Sequence, residues 1–182
     1  MTDRLVSYDP RTQAPVGEVT VTSPAEVPAV VERSRKAFEV WSALPFSERK
    51  RHLIAFKKTV LTRGEEIAEV VAAETGKPVA DSYPLDVLTS LSVIDHYSRK
   101  AHKYLKPRRA GTWPYVTTKA WTNYQPRGVA GVISPWNYPF FLSMIPTVTA
   151  LAAGCSVVLK PSEKTPLTGQ LIGDIAEFAG LP

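Results

Sequence analysis

A single cysteine, Cys155, leaves this chain without a disulfide framework and without the ligands of a cysteine-based metal cluster. Histidine is scarce too. His52, His96 and His102 lie far from Cys155 in sequence, so metal chemistry has no support, and with no nucleophile at a recognisable spacing they are assigned no catalytic role. Gly-x-Gly-x-x-Gly, Walker phosphate-loop and Gly-x-Ser-x-Gly patterns are all missing, as are internal repeats and low-complexity tracts. Met1 to Gln13 has no apolar core of the kind a signal peptide needs, and the chain reads as cytoplasmic. A net charge of +5 raises nucleic acid as a partner. The excess is concentrated in Arg99, Lys100, Lys103, Lys106, Arg108 and Arg109, with Tyr104 among them. No helix-turn-helix or zinc signature accompanies that run. It reads as the solvated end of a helix, where cations complement the helix dipole, and no nucleic-acid partner is expected.

The most informative absence is of charge between Gly128 and Leu159, a stretch bounded by Arg127 and Lys160. Its length suggests a membrane helix, for which about 20 apolar residues suffice. Pro135, Pro139 and Pro146 argue against one, since each removes a backbone donor and crowds the preceding turn; no membrane span is expected. The same letters parse as strand, loop, helix and strand. Gly128–Ser134 is a short valine- and isoleucine-rich strand ended by Pro135. Pro139 suits a first helical turn, and the helix it opens runs to Gly154, a C-cap residue. Ser156–Lys160 is a second strand, followed by a helix over Pro166–Phe178 with Leu167, Leu171, Ile175 and Phe178 at helical spacing. This βαβα order predicts a parallel sheet with a right-handed crossover. Ligands of such sheets bind at the carboxyl ends of the strands. Asn137 follows the first strand and Lys160 ends the second, so both belong on that rim.

Upstream, Arg4–Ser7 and Val16–Thr22 read as a peripheral hairpin around the Asp9-Pro10 turn. Ser23-Pro-Ala-Glu26 has the form of a capping box with Pro24 at the first helical position. Its helix would bury Val27, Val30, Val31, Phe38 and Trp41. A second helix, capped by Ser47, would bury Leu53, Ile54, Val60 and Leu61. Gly64 separates it from a third helix bearing Ile67, Val70 and Val71, which stops at Gly76. A fourth runs from about Asp81 to Leu105 with Pro84 in its first turn. From Trp113 to Gln125 the β-branched and aromatic texture predicts one or two projecting strands. The fold class is therefore α/β, with N-terminal helices leading into the first βαβα of a Rossmann-like parallel sheet.

Ile133-Ser-Pro-Trp-Asn-Tyr-Pro139, Ala150-Leu-Ala-Ala-Gly154 and Val157-Val-Leu-Lys-Pro-Ser-Glu163 strongly resemble the aldehyde dehydrogenase superfamily in both order and spacing. Glu74-Thr-Gly-Lys77 and the closing Ala179-Gly-Leu-Pro182 look like its N-terminal part as well. The resemblance covers nearly the whole chain but not a whole family member, which is much longer. It implies a truncated portion of an NAD(P)-dependent enzyme that oxidises an aldehyde through a cysteine thiohemiacetal, hydride transfer and thioester hydrolysis. Residues 1–112 would then be the helical part of the cofactor-binding domain. Residues 113–126 resemble the oligomerisation segment, and 127–182 the start of the Rossmann-like core. Asn137 matches the amide that stabilises the oxyanion; on its residues alone it is a loop asparagine. Lys160 and Glu163 match residues that grip the adenosine ribose; alone, they are a strand-ending lysine and a helix-start glutamate. Ser134, Pro135 and Trp136 match the loop lining the cofactor cleft, with Trp136 otherwise a core residue. Glu163 would repel a 2′-phosphate, which favours NAD, while Lys160 and Ser162 leave NADP open. Cys155 precedes the second strand and reads as small buried filler, because the family's nucleophile and general-base glutamate lie downstream. The implied small-molecule partner is an aldehyde. A homo-oligomer, or association through open sheet edges, is the other expected partnership, and a non-catalytic remnant or interaction protein is the rival reading.

Overall fold

The computed structural model describes residues 3–181; Met1, Thr2 and Pro182, the last residue of the closing motif, lie outside the described residues. Strands β1 (Arg4–Tyr8) and β2 (Pro15–Thr20) form an antiparallel hairpin with Arg4 opposite Thr20. Helices α1 (Val27–Ala43), α2 (Phe46–Thr62) and α3 (Gly64–Thr75) follow. Next comes one continuous helical run made of α4 (Val79–Ser82), a π-helical segment (Tyr83–Leu88) and α5 (Thr89–Leu105). A second small hairpin pairs β3 (Arg108–Ala110) with β4 (Ala120–Thr122). The chain closes with β5 (Val129–Ile133), α6 (Pro139–Ala153), β6 (Ser156–Lys160) and α7 (Pro166–Phe178).

The βαβα reading holds element by element. β5 and β6 are parallel, pairing Val129 with Ser156 and Ile133 with Lys160. Pro139 and Pro166 occupy the first turns of their helices, where a missing N–H costs nothing. Gly154 ends α6 at φ 96°, a left-handed conformation that favours glycine. No helix among the described residues is long and apolar enough to cross a membrane.

Several local expectations are corrected. The Ser23–Glu26 box forms, with Ser23 N and Oγ each 2.8 Å from Glu26 Oε2, yet it closes a turn ahead of the helix. α1 starts at Val27, so Pro28 rather than Pro24 sits in its first turn. Ile54 and Leu61 are exposed while Leu53, Phe56 and Val60 are buried. Successive helical residues point about 100° apart, and on α2 the buried stripe runs through Leu53, Phe56 and Val60, leaving Ile54 and Leu61 beside it. Phe178 is 81% exposed, and α7 buries Leu171, Ile172 and Ile175 instead. Val27 is exposed on α1, which buries Ser34 and Trp41. Gly64 opens α3 instead of separating it from α2. Pro84 lies inside a run that has already begun at Val79, and the backbone there widens to the π form. The basic run divides at Pro107, with Arg108 and Arg109 in a strand. Of Trp113–Gln125, only Ala120–Thr122 is strand.

The N-terminal helices and the parallel strands share one core. Trp41, Phe56, Ile67, Val71, Ile94, Phe140, Met144, Val148 and Ile175 are buried together. Polar bonds fix the docking: Trp41 Nε1 donates to Leu151 O at 2.9 Å, and Ser156 Oγ donates to Ser34 O at 2.7 Å. The first hairpin is not peripheral either. Its Ser7 Oγ donates at 2.8 Å to Oε1 of Glu74, a buried carboxylate at the end of α3. Glu74 also accepts from Leu167 N and Thr168 N at 2.8 Å each and from Thr168 Oγ1 at 2.7 Å. It thereby caps α7 from 93 residues away, satisfying backbone donors that a helix start leaves without partners.

Removing this carboxylate would strand several buried donors, each at about 1–3 kcal/mol. Glu74→Ala is therefore expected to lower stability by about 3 kcal/mol or more in urea denaturation, and Glu74→Gln by less. Two glycines of α7 are expected to diverge. A Cβ on Gly169 would overlap the Pro161 ring, whereas one on Gly173 would meet nothing within 4 Å. Gly169→Ala should destabilise by about 1–3 kcal/mol, and Gly173→Ala should stabilise by up to about 1 kcal/mol, read from thermal midpoints.

Candidate functional site

The register of β5 against β6 builds the candidate site. Because Ile133 stands opposite Lys160, the loop after β5 and the loop after β6 leave the same rim. Ser134 N donates to Lys160 O at 3.2 Å, carrying the ladder one residue into the loops. Beyond that bond the chains diverge toward α6 and α7. Both helices therefore aim their N-terminal, electropositive ends at this rim.

Of the residues expected here, five are exposed and two are not. Pro135, Trp136, Asn137, Lys160 and Glu163 face solvent, while Ser134 and Ser162 are buried. Trp136 is 50% exposed, which excludes its reading as a core residue. The hydroxyls of Ser134 and Ser143 are hydrogen-bonded at 2.8 Å, joining the loop to α6. Ser162 Oγ accepts from Lys164 N at 3.2 Å and so shapes the loop before α7. Lys160 Nζ lies 3.3 Å from Glu163 Oε2, an exposed pair spaced three residues apart. The Glu163 carboxyl titrates below its ordinary range. Its own backbone N–H is the largest cause, the Lys160 hydrogen bond and charge come next, and Lys164 adds a smaller attraction. An ionised acceptor and a cationic donor therefore stand side by side on the rim.

Cys155 is half-buried rather than fully buried, and it precedes the Ser156–Val129 end of the sheet. The intervening strand spans roughly 16 Å at about 3.3 Å per residue, so the thiol does not share the rim with Asn137. Among the described residues no group of three His, Cys, Asp or Glu side chains is placed to hold a metal. A concavity of about 690 Å³ lies over α2 and α5 and includes none of the rim residues. A groove of about 420 Å³ does border the rim, between the first hairpin and Trp136, Glu163, Lys164 and Thr165.

Sequence reasoning missed the residues that hold the rim in place. Asp86, in the π-helical segment, is fully buried, and its Oδ1 accepts from Phe141 N at 3.1 Å. It caps α6 as Glu74 caps α7. Lys77 Nζ sits 3.3 Å from Asp86 Oδ2 and 3.9 Å from the centroid of the Tyr138 ring. Lys164 Nζ lies 5.2 Å from the Trp136 ring centroid. The Glu-Thr-Gly-Lys motif was visible as text, but nothing in its spacing said that it reaches the loop after β5. Asp86 carried a usable signal, a lone acid between Leu85 and Val87 in a helical stretch.

The same fold and a similar sequence recur in known proteins. The aldehyde dehydrogenase family model matches residues 2–182. N-succinylglutamate 5-semialdehyde dehydrogenase 1 of Caulobacter vibrioides is 38% identical over 98% of the chain and 37% of its own length. An aldehyde dehydrogenase structure from Brucella melitensis biovar abortus superposes with a TM-score of 0.93 at 29% identity, covering 99% of this chain and 37% of that one. A Thermus 1-pyrroline-5-carboxylate dehydrogenase with bound NAD gives 0.90 at 30% identity, covering 100% and 35%. The chain thus spans about a third of the length of the relatives it matches. With the family model, the relatives and the solved structures in agreement, the chain belongs to the aldehyde dehydrogenase family.

Proposed function

We propose that this chain supplies the cofactor-facing part of an NAD(P)-dependent aldehyde dehydrogenase, with Asn137 as oxyanion donor and Lys160 and Glu163 as the ribose grip. The observation that carries this reading is the Ile133–Lys160 register, which brings the two loops to one rim. A neutral amide suits an oxyanion because it donates without giving up a proton. Losing such a donor typically costs about 3 kcal/mol of transition-state stabilisation. Glu163 accepts from a sugar hydroxyl and Lys160 donates to one; the bound dinucleotide would accept the hydride. The ionised Glu163 carboxylate disfavours a 2′-phosphate, so NAD is the proposed cofactor in preference to NADP. Trp136 and Pro135 line the cleft, and Ser134 and Ser162 act from beneath by shaping its two loops. The attacking thiolate is not Cys155, which lies at the far end of β6.

Association of copies is part of the proposal. Trp113, Tyr115, Val116 and Trp121 are 88%, 71%, 79% and 53% exposed around the β3–β4 hairpin, an apolar cluster suited to a protein partner. Residues 113–126 are therefore assigned to oligomerisation, between the helical part (1–112) and the cofactor core (127–182).

Titrating NAD and NADP against the chain, with Trp136 fluorescence as readout, is expected to show saturable quenching with NAD the tighter ligand. Glu163→Gln should weaken NAD by about tenfold or more, as expected for a hydrogen bond to a charged group, and narrow the gap to NADP. Absence of saturation together with concentration-dependent association would instead favour an interaction protein. The 182-residue chain by itself is expected to produce no NADH from aldehydes. Turnover abolished by Cys155→Ala would overturn the assignment of Cys155, and turnover that survives the substitution would overturn the expectation of inactivity.

A further inference from the structure

Asn137 stands between two aromatic residues, and each ring carries a lysine ammonium. Lys164 over Trp136 is the looser contact, at 5.2 Å from an exposed side chain. Lys77 over Tyr138 is closer, at 3.9 Å, and is itself held. Its Nζ lies 3.3 Å from Asp86 Oδ2, and the other oxygen of that fully buried carboxylate accepts from Phe141 N. A single connected unit therefore runs from the first turn of α6, through Asp86 and Lys77, to the ring next to Asn137.

We propose that Lys77 is a positioning residue for the Asn137 amide, clamping the Tyr138 ring from a site anchored by Asp86. Withdrawal from solvent strengthens an ammonium–ring attraction relative to an exposed one, and the Lys77 side chain is partly buried. Asp86 keeps the ammonium from swinging into water, so the contact costs little further ordering. Asn137 is exposed and follows Trp136 and Pro135, which are also exposed. The clamp thus fixes the backbone on the α6 side of Asn137, and with it the direction of its amide. The proposal rests on the oxyanion reading for its catalytic meaning, but its geometry does not.

Nuclear magnetic resonance on the whole chain tests it without cofactor or aldehyde. Lys77 ε-methylene protons should be shifted upfield by the Tyr138 ring current, and Tyr138→Leu should return them to ordinary positions. In Lys77→Met, the backbone order parameters of Asn137 and Tyr138 are expected to fall from a rigid value near 0.85 to below about 0.6. The Asn137 side-chain amide signals should shift with them. Lys77→Arg, which keeps the charge, should restore both readouts, and Lys164→Met should leave them unchanged. Ordinary ε-methylene shifts in the unmodified chain would overturn the clamp, as would an unchanged Asn137 in Lys77→Met. If Lys77→Met fails to fold, the ring-current comparison decides alone. Loss of cofactor binding with an intact clamp would count against the ribose reading and leave the positioning role standing.

Discussion

The architecture depends on two buried carboxylates that receive the N-terminal turns of α6 and α7. Glu74 holds α7 and Asp86 holds α6, each from an element distant in sequence. A helix start leaves backbone N–H groups without partners, and here those donors would otherwise face a rim that has to remain open. Supplying the acceptors from α3 and the π-helical segment satisfies them from behind. The loops after β5 and β6 are then free to present Trp136, Asn137, Lys160 and Glu163 outward. The same carboxylates bind the preceding helices to α6 and α7, so the N-terminal residues act as a mould for the rim as well as a cover for the core.

The parallel pair was legible because its punctuation is strong. Pro135, Pro139, Gly154, Pro161 and Pro166 each exclude regular structure on one side, and five of the element ends near them are where the text places them. The helices of the first hundred residues were legible in number but not in facing. Leu53 and Ile54 are equally apolar, and which of them turns inward is decided by α5 and α6 rather than by α2. The stretch from Trp113 to Gln125 misled for a different reason. β-branched and aromatic residues favour strands only where a neighbour pairs with them, and here the partner strand is three residues long.

At the site, the exposed groups could be read directly because chemistry and position coincide: an amide after one strand, an ammonium and a carboxylate after the next. Their supports could not. Glu74 and Lys77 sit at a helix end, where charged residues are commonplace, and their partners lie 93 and 9 residues away. Such bonds obey no local periodicity. They become visible only when burial shows that a carboxylate has left solvent and must have found donors.

The reach of Glu74 also has a temporal side. Ser7 and Glu74 are both made long before Leu167 and Thr168, the other donors to that carboxylate. At about 5–20 residues per second of synthesis, the carboxylate waits on the order of 5–20 seconds for its last two backbone partners. Through that interval the α-helical mould can exist while the rim does not, so the seam around Glu74 can close only after Phe141, the partner of Asp86, has already been made.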